Sequence, residues 1–85
     1  MAITRRPASG RIVHDRAVLG GEPIIRGTRL AVRHIVLVQR ERGSARAVIE
    51  AYPQLTEADV DDALTYYAKH RAEVDRSIAA NLAEE

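Results

Sequence analysis

The stretch Gly20-Gly21-Glu22-Pro23-Ile24-Ile25-Arg26-Gly27-Thr28-Arg29-Leu30-Ala31-Val32 decides how this chain folds. Glycine adopts positive φ without steric cost, so Gly20, Gly21 and Gly27 read as sharp backbone turns. Between them lies a minimal strand, Pro23 to Arg26, with proline at its first position, where it is tolerated. Past Thr28 and Arg29 the period changes and the chain enters a helix. Arg26 and Arg29 flank Gly27. They are either two solvated charges on a structural corner or a rigid arginine pair held for an anionic partner, phosphate or a carboxylate cluster.

Working outward, Arg11 to His14 reads as a second short strand centred on Ile12-Val13. It can pair with Ile24-Ile25 of its own chain or of a second copy. Residues 1–10 are basic, with Arg5, Arg6, Pro7 and Gly10, and read as a flexible arm. On the other side, Val32 to Arg42 reads as a first helix, its apolar residues Val32, Ile35 and Val36 stepping by three and four. Gly43 ends it, with Arg40 and Arg42 in the last turn where cations suit the dipole.

Ser44 is a good N-cap for a second helix, Ala45 to Ala51. Pro53 cannot continue that helix, so the chain turns at Tyr52-Pro53-Gln54-Leu55. Thr56 then caps a third helix, with Asp59 in a capping-box position. The apolar face Val60, Ala63, Leu64 and Tyr67 continues through Val74, Ile78 and Leu82, interrupted by Arg71. The third helix therefore either runs on to the end or breaks near Lys69-His70. Its far part is expected to expose an apolar stripe that docks on a second copy or on a different partner.

The expected fold is mostly α: a three-helix, homeodomain-like helix-turn-helix unit with a short N-terminal β-hairpin and a C-terminal helical extension. The divisions are 1–10 for the arm, 11–69 for the strand-plus-three-helix domain and 70–85 for the extension. A chain of 85 residues makes one domain with a marginal core, and such domains gain stability from a partner.

Composition narrows the function. There is no cysteine, hence no disulfide or thiolate metal site. No apolar run approaches the ~20 residues that span a bilayer, and the basic N-terminus lacks an apolar signal core, so a cytoplasmic protein without a membrane role is expected. His14, His34 and His70 are scattered out of metal-ligand spacing. Asp59, Asp61 and Asp62 are accounted for by the helix dipole rather than by hydrolytic chemistry. No enzyme activity, metal or cofactor is expected.

Charge is segregated along the chain. Residues 1–46 hold ten arginines against three acids, and residues 47–85 hold three cations against nine acids. Such a split points to an anionic partner at one end and a different partner at the other. If nucleic acid is bound, the basic half is the better surface, through Arg5, Arg6, Arg33 and Arg46. The third helix opens with acids that repel phosphate.

The spaced signatures Gly20 to Val32, Gly43-Ser44, Tyr52 to Val60, and Ala63-Leu64 with Tyr66-Tyr67-Ala68 resemble domain-of-unknown-function family 433. The residues that carry the likeness are Gly20, Gly21, Pro23, Gly27, Thr28, Tyr52, Pro53 and Thr56. Leu30-Ala31 departs from the isoleucine-proline common there. The resemblance implies a homeodomain-like fold and, for many members, a role as a VapB-type antitoxin encoded beside a PIN-like ribonuclease toxin. It implies a toxin partner met either by Arg26 and Arg29 or by the stripe Val74, Ile78 and Leu82, with operator DNA as a further partner. A stand-alone homodimeric DNA-binding regulator, or an oligomerisation module with no toxin, is the other expectation.

Overall fold

A computed structural model describes residues 8–83, so the arm residues Arg5 and Arg6 and the terminal pair 84–85 lie outside the described residues. Two strands pair antiparallel, β1 (Ile12–His14) with β2 (Pro23–Ile25), in the register Ile12 to Ile25, Val13 to Ile24 and His14 to Pro23. The partner of the first strand is thus the chain's own second strand. The connection turns at Asp15, whose Oδ1 accepts from the Ala17 amide at 2.9 Å. It then passes through a left-handed corner at Leu19, Gly20 and Gly21, with φ of 51°, 67° and 91°. A Cβ on Gly20 would meet nothing within 4 Å, so backbone conformation rather than space requires glycine there.

β2 leads into a closed turn. The Thr28 amide donates to the Ile25 carbonyl at 3.0 Å, as does the Thr28 hydroxyl at 2.8 Å. That hydroxyl also accepts from the Leu30 amide at 3.0 Å. The Ile25 amide closes the loop on the Leu30 carbonyl at 3.0 Å, and Ile24 bridges to Ala31. Gly27, at φ 79°, supplies the one left-handed residue of this loop. The amide and hydroxyl of Thr28 are therefore spent on fixing the segment that carries Arg26 and Arg29.

Four helices follow: α1 (Val32–Arg42), α2 (Ala45–Ala51), α3 (Glu57–Lys69) and α4 (Arg71–Ala83). Local chemistry sets their ends. Gly43 closes α1 in the left-handed conformation. The Ser44 hydroxyl accepts from the Ala47 amide at 3.1 Å and opens α2. At α3 the Thr56 hydroxyl accepts from the Asp59 amide at 3.1 Å, and the Asp59 carboxylate accepts from the Thr56 amide at 3.0 Å. Those two bonds form the reciprocal box expected of this pair of residue types.

The helical stripe does not run on. It breaks at His70, whose φ and ψ of −129° and 40° leave the helical region. The His70 amide donates back to the carbonyls of Tyr66 and Tyr67, while its own carbonyl accepts from the Val74 amide at 3.0 Å. One residue thus ends α3 and starts α4. The break swings α4 back onto α1, and Val74 and Ile78 enter the core at 2% and 6% exposure. The expectation that these two lie on an open docking stripe is corrected: their apolar surface is covered by the chain itself. The side chain of Leu82, the third member, lies outside the described residues.

The core that results gathers Ile12 and Ile25 from the sheet, Val32, Ile35 and Val36 from α1, Val48 from α2, Val60, Ala63 and Tyr66 from α3, and the two α4 residues. Fully burying one aliphatic side chain of this size is worth about 1.5–3 kcal/mol. Replacing Ile78 by Ala is expected to lower the unfolding free energy by about 2–4 kcal/mol, read from the urea midpoint at unchanged slope. A change under about 0.5 kcal/mol, the scale of surface substitutions, would mean that α4 does not pack on the core in solution.

Candidate functional site

Two guanidinium groups stand out on the Ile25–Leu30 turn. Arg26 and Arg29 are both exposed. The Arg26 amide donates to the Arg11 carbonyl at 2.8 Å, and its guanidinium donates to the Gly10 carbonyl, so its backbone and side chain are both held. Arg29 has no hydrogen-bond or ion-pair partner among the described residues. A guanidinium offers planar paired donors and does not titrate, so this turn presents fixed positive charge at low ordering cost.

The neighbouring glycine corner does something different. Glu22, next in sequence, turns inward: its Oε1 accepts from Arg33 Nε at 2.8 Å and from the Ser77 hydroxyl at 3.0 Å. The Glu22 and Arg33 side chains are 23% and 13% exposed. One carboxylate therefore ties the hairpin to α1 and to α4, beside a small cavity of about 250 Å³ whose walls include Gly20, Pro23 and Val74. Arg33, expected with the phosphate-facing cations, is directed inward instead, onto the Glu22 carboxylate. Arg46 remains exposed, at the start of α2.

Next to this tie, His34 Nδ1 accepts from the Ala31 amide at 3.0 Å and so caps α1 in its neutral form. Burial, then the Arg33 charge, lowers its pKa below 6.5, against a smaller raising effect from Glu22.

Two further polar clusters hold α4. Tyr66 Oη donates to the Glu73 carboxylate at 3.2 and 3.3 Å and lies 3.4 Å from His14 Nε2. Its ring stacks on His70 with centroids 4.0 Å apart. Burial, then the Glu73 charge, pushes the Tyr66 phenol up to about 12. On the other side Asp75 accepts from Tyr67 Oη at 2.8 Å and from Arg40 at 3.1 Å. Its carboxyl is held below the usual range, chiefly by the Tyr67 hydrogen bond. Sequence reasoning missed these clusters. Glu22 stood in plain view after two glycines, but Ser77 is 55 residues away and nothing local announces it. Among the described residues no group of three or more His, Asp or Glu side chains is placed to hold a metal ion, and no helix is long and apolar enough to cross a membrane.

Residues 12–67 match the family described as "Protein of unknown function (DUF433)", and the chain belongs to that family. It is also similar to a solved structure, a DUF433 member protein from Anabaena variabilis ATCC 29413. The two are 33% identical with a TM-score of 0.70, over 81% of this chain and 68% of that one. No curated protein matches the chain. The matched segment contains the glycine corner, the arginine turn and the helix caps. Val74, Ser77 and Ile78 lie beyond it.

Glu22→Ala is expected to cost about 1–3 kcal/mol, because it leaves a mostly buried guanidinium without its carboxylate. In a double-mutant cycle with Ser77→Ala the two losses should fail to add by at least about 0.5 kcal/mol. Full additivity in urea unfolding would show that the three side chains do not act together.

The His34 cap gives a sign for pH. Its folded pKa is depressed, so the unfolded chain binds its proton first. The stability it supplies is full above pH 6.5 and is lost as pH falls through the folded value. The wild type should therefore lose more stability between about pH 7 and pH 5 than His34→Gln does. Equal slopes in pH-dependent unfolding would refute the cap.

Proposed function

We propose that this chain is the antitoxin of a type II toxin–antitoxin pair, acting in the cytoplasm, and that it silences a PIN-like ribonuclease by offering Arg26 and Arg29 to the toxin's acidic, metal-binding active site. One observation carries the reading: a six-residue turn braced by its own hydrogen bonds and by the Arg26–Arg11 backbone bond, with both arginines exposed. Bidentate pairing of guanidinium with carboxylate suits such a site, and the turn holds the backbone that carries both arginines in place. The resemblance of the spaced signatures to family 433, many of whose members are thought to be antitoxins, supports the same reading. The alternative contact surface on the C-terminal stripe loses weight, since Val74 and Ile78 are occupied in the core.

Operator DNA is a second reading. It is favoured by the order α2, tight turn, α3, which is that of a helix-turn-helix and, with α1, of a homeodomain-like unit. The cations for it are Arg46 and the arm residues Arg5 and Arg6. Each lost phosphate contact should reduce the slope of log K against log salt by about one unit.

Arg26→Ala or Arg29→Ala should weaken toxin binding by about 2–5 kcal/mol, the cost of leaving carboxylates unpaired in an interface. The measurement is ribonuclease activity of a PIN-like toxin from a neighbouring reading frame, which the proposal requires, titrated with wild type and with each variant. Normal neutralisation by both variants, with the fold intact by circular dichroism, would exclude the arginine turn as the inhibitory element.

A further inference from the structure

α2 and α3 leave an open groove of about 600 Å³ between them. Its floor is apolar, formed by Ala45, Ile49 and Val60, and its rim carries Glu50, Glu57 and Asp61 against the single cation Arg46. The three acids are exposed and form no ion pair among the described residues. Placement in the first helical turn explains Glu57. It explains neither Asp61, a turn further along α3, nor Glu50, near the end of α2. An apolar floor under an acidic rim fits an extended segment that carries paired cations and an apolar side chain.

This chain contains such a segment. Met1-Ala2-Ile3-Thr4-Arg5-Arg6-Pro7 places two arginines two residues beyond an isoleucine. Pro7 biases Arg6 toward extended backbone, the conformation a groove requires. The opposite signs of arm and rim supply the complementarity that fixes register and orientation.

The arm's own copy is the poorer host. The arm grows from the 3₁₀ turn Ala8–Arg11, and Arg11 reaches Asp59 and Asp62 of α3 at 3.9 and 3.5 Å. At about 100° per residue, those two acids lie on the flank of α3 opposite Glu57 and Asp61. A helix with its side chains is about 10–12 Å across, so passing round half of it takes about 16–19 Å. Ile3 stands five residues before Ala8 and reaches about 17 Å when fully extended, so in its own copy the arm makes that passage only fully stretched, with no slack. An arm arriving from another molecule has no helix to wrap.

We propose that the α2–α3 groove is the docking site for the N-terminal arm of a second copy of this chain. Two copies exchange arms about a two-fold axis, Arg5 and Arg6 against the acidic rim and Ile3 on the floor. This interface uses neither Arg26 nor Arg29, so it stands or falls independently of toxin neutralisation. It also sets the arm's two guanidinium groups in competition between the groove and any nucleic acid.

The test uses charge reversal on the full chain. Arg5→Glu with Arg6→Glu makes an acidic arm. Glu50→Lys with Asp61→Lys makes a basic rim. By light scattering at micromolar concentration the wild type should be a dimer, about twice the 9.4 kDa chain, and each double variant alone should dissociate at least about tenfold more readily. Mixing the two variants should restore a dimer, because each arm then meets a rim of opposite sign. Because the chain lacks cysteine, Thr4→Cys gives a single site for a spin label. Mixed with unlabelled, isotope-enriched wild type, it should broaden the amide signals of Ile49 and Val60. A wild-type monomer, dimers that survive both reversals, failure of the mixture to reassociate, or absence of intermolecular broadening would each overturn the proposal.

Discussion

The buried face of α1 is the surface that every other element covers. Val32, Ile35 and Val36 are at most 1% exposed, yet a single helix buries nothing by itself. The hairpin covers one end through Ile12 and Ile25, α2 and α3 cover a side through Val48 and Val60, and α4 closes the remainder through Val74 and Ile78. A chain of this size hides only about 60–65% of the surface its unfolded form exposes. No cover is redundant under that constraint. Hence the C-terminal stripe, which looks like a surplus docking face in one dimension, goes to the core in three.

Polar side chains then fix which way each cover lies. Apolar contact is non-directional and would tolerate α4 at several angles. The Glu22 carboxylate, shared between Arg33 and Ser77, tolerates few, and so do the Tyr66–Glu73 and Tyr67–Asp75 bonds. The first joins α4 to the hairpin, 55 residues back, and the other two join it to α3, seven and eight residues back. The phenol–carboxylate contacts are partly exposed, and their role is registry more than energy. Removing the carboxylate from the partly buried Arg33 is the costlier loss, since the guanidinium cannot shed its charge.

The same geometry sorts the arginines. Of those in the basic half, Arg33 is turned inward, while Arg11 and Arg40 pair with acids of α3 and α4. Arg26, Arg29 and Arg46 stay exposed. The strong segregation of charge along the chain is therefore partly consumed by internal pairing between halves. What remains outward is a compact basic turn on one part of the molecule and an acid-rimmed groove on another. Both the proposed toxin contact and the proposed arm exchange draw on that remainder.

The sequence by itself determined whatever is settled within a few residues. The limits of α1 and α2, the Ser44 cap, the Thr56–Asp59 box and the left-handed Gly27 were legible because each rests on a contact spanning at most four positions. The Arg26–Arg29 turn was legible from Gly27 and Thr28, although the bonds that close it reach further. Tertiary structure decided the rest. Whether β1 pairs within its own chain, whether the helical stripe breaks at Lys69-His70, and which arginines are spent internally all depend on contacts between separate elements. His70 shows why most clearly. No proline or glycine marks the break, and the apolar period continues almost unchanged from Tyr67 to Val74. The chain bends there because one residue out of helical conformation costs less than leaving the α1 face, and with it Val74 and Ile78, in water.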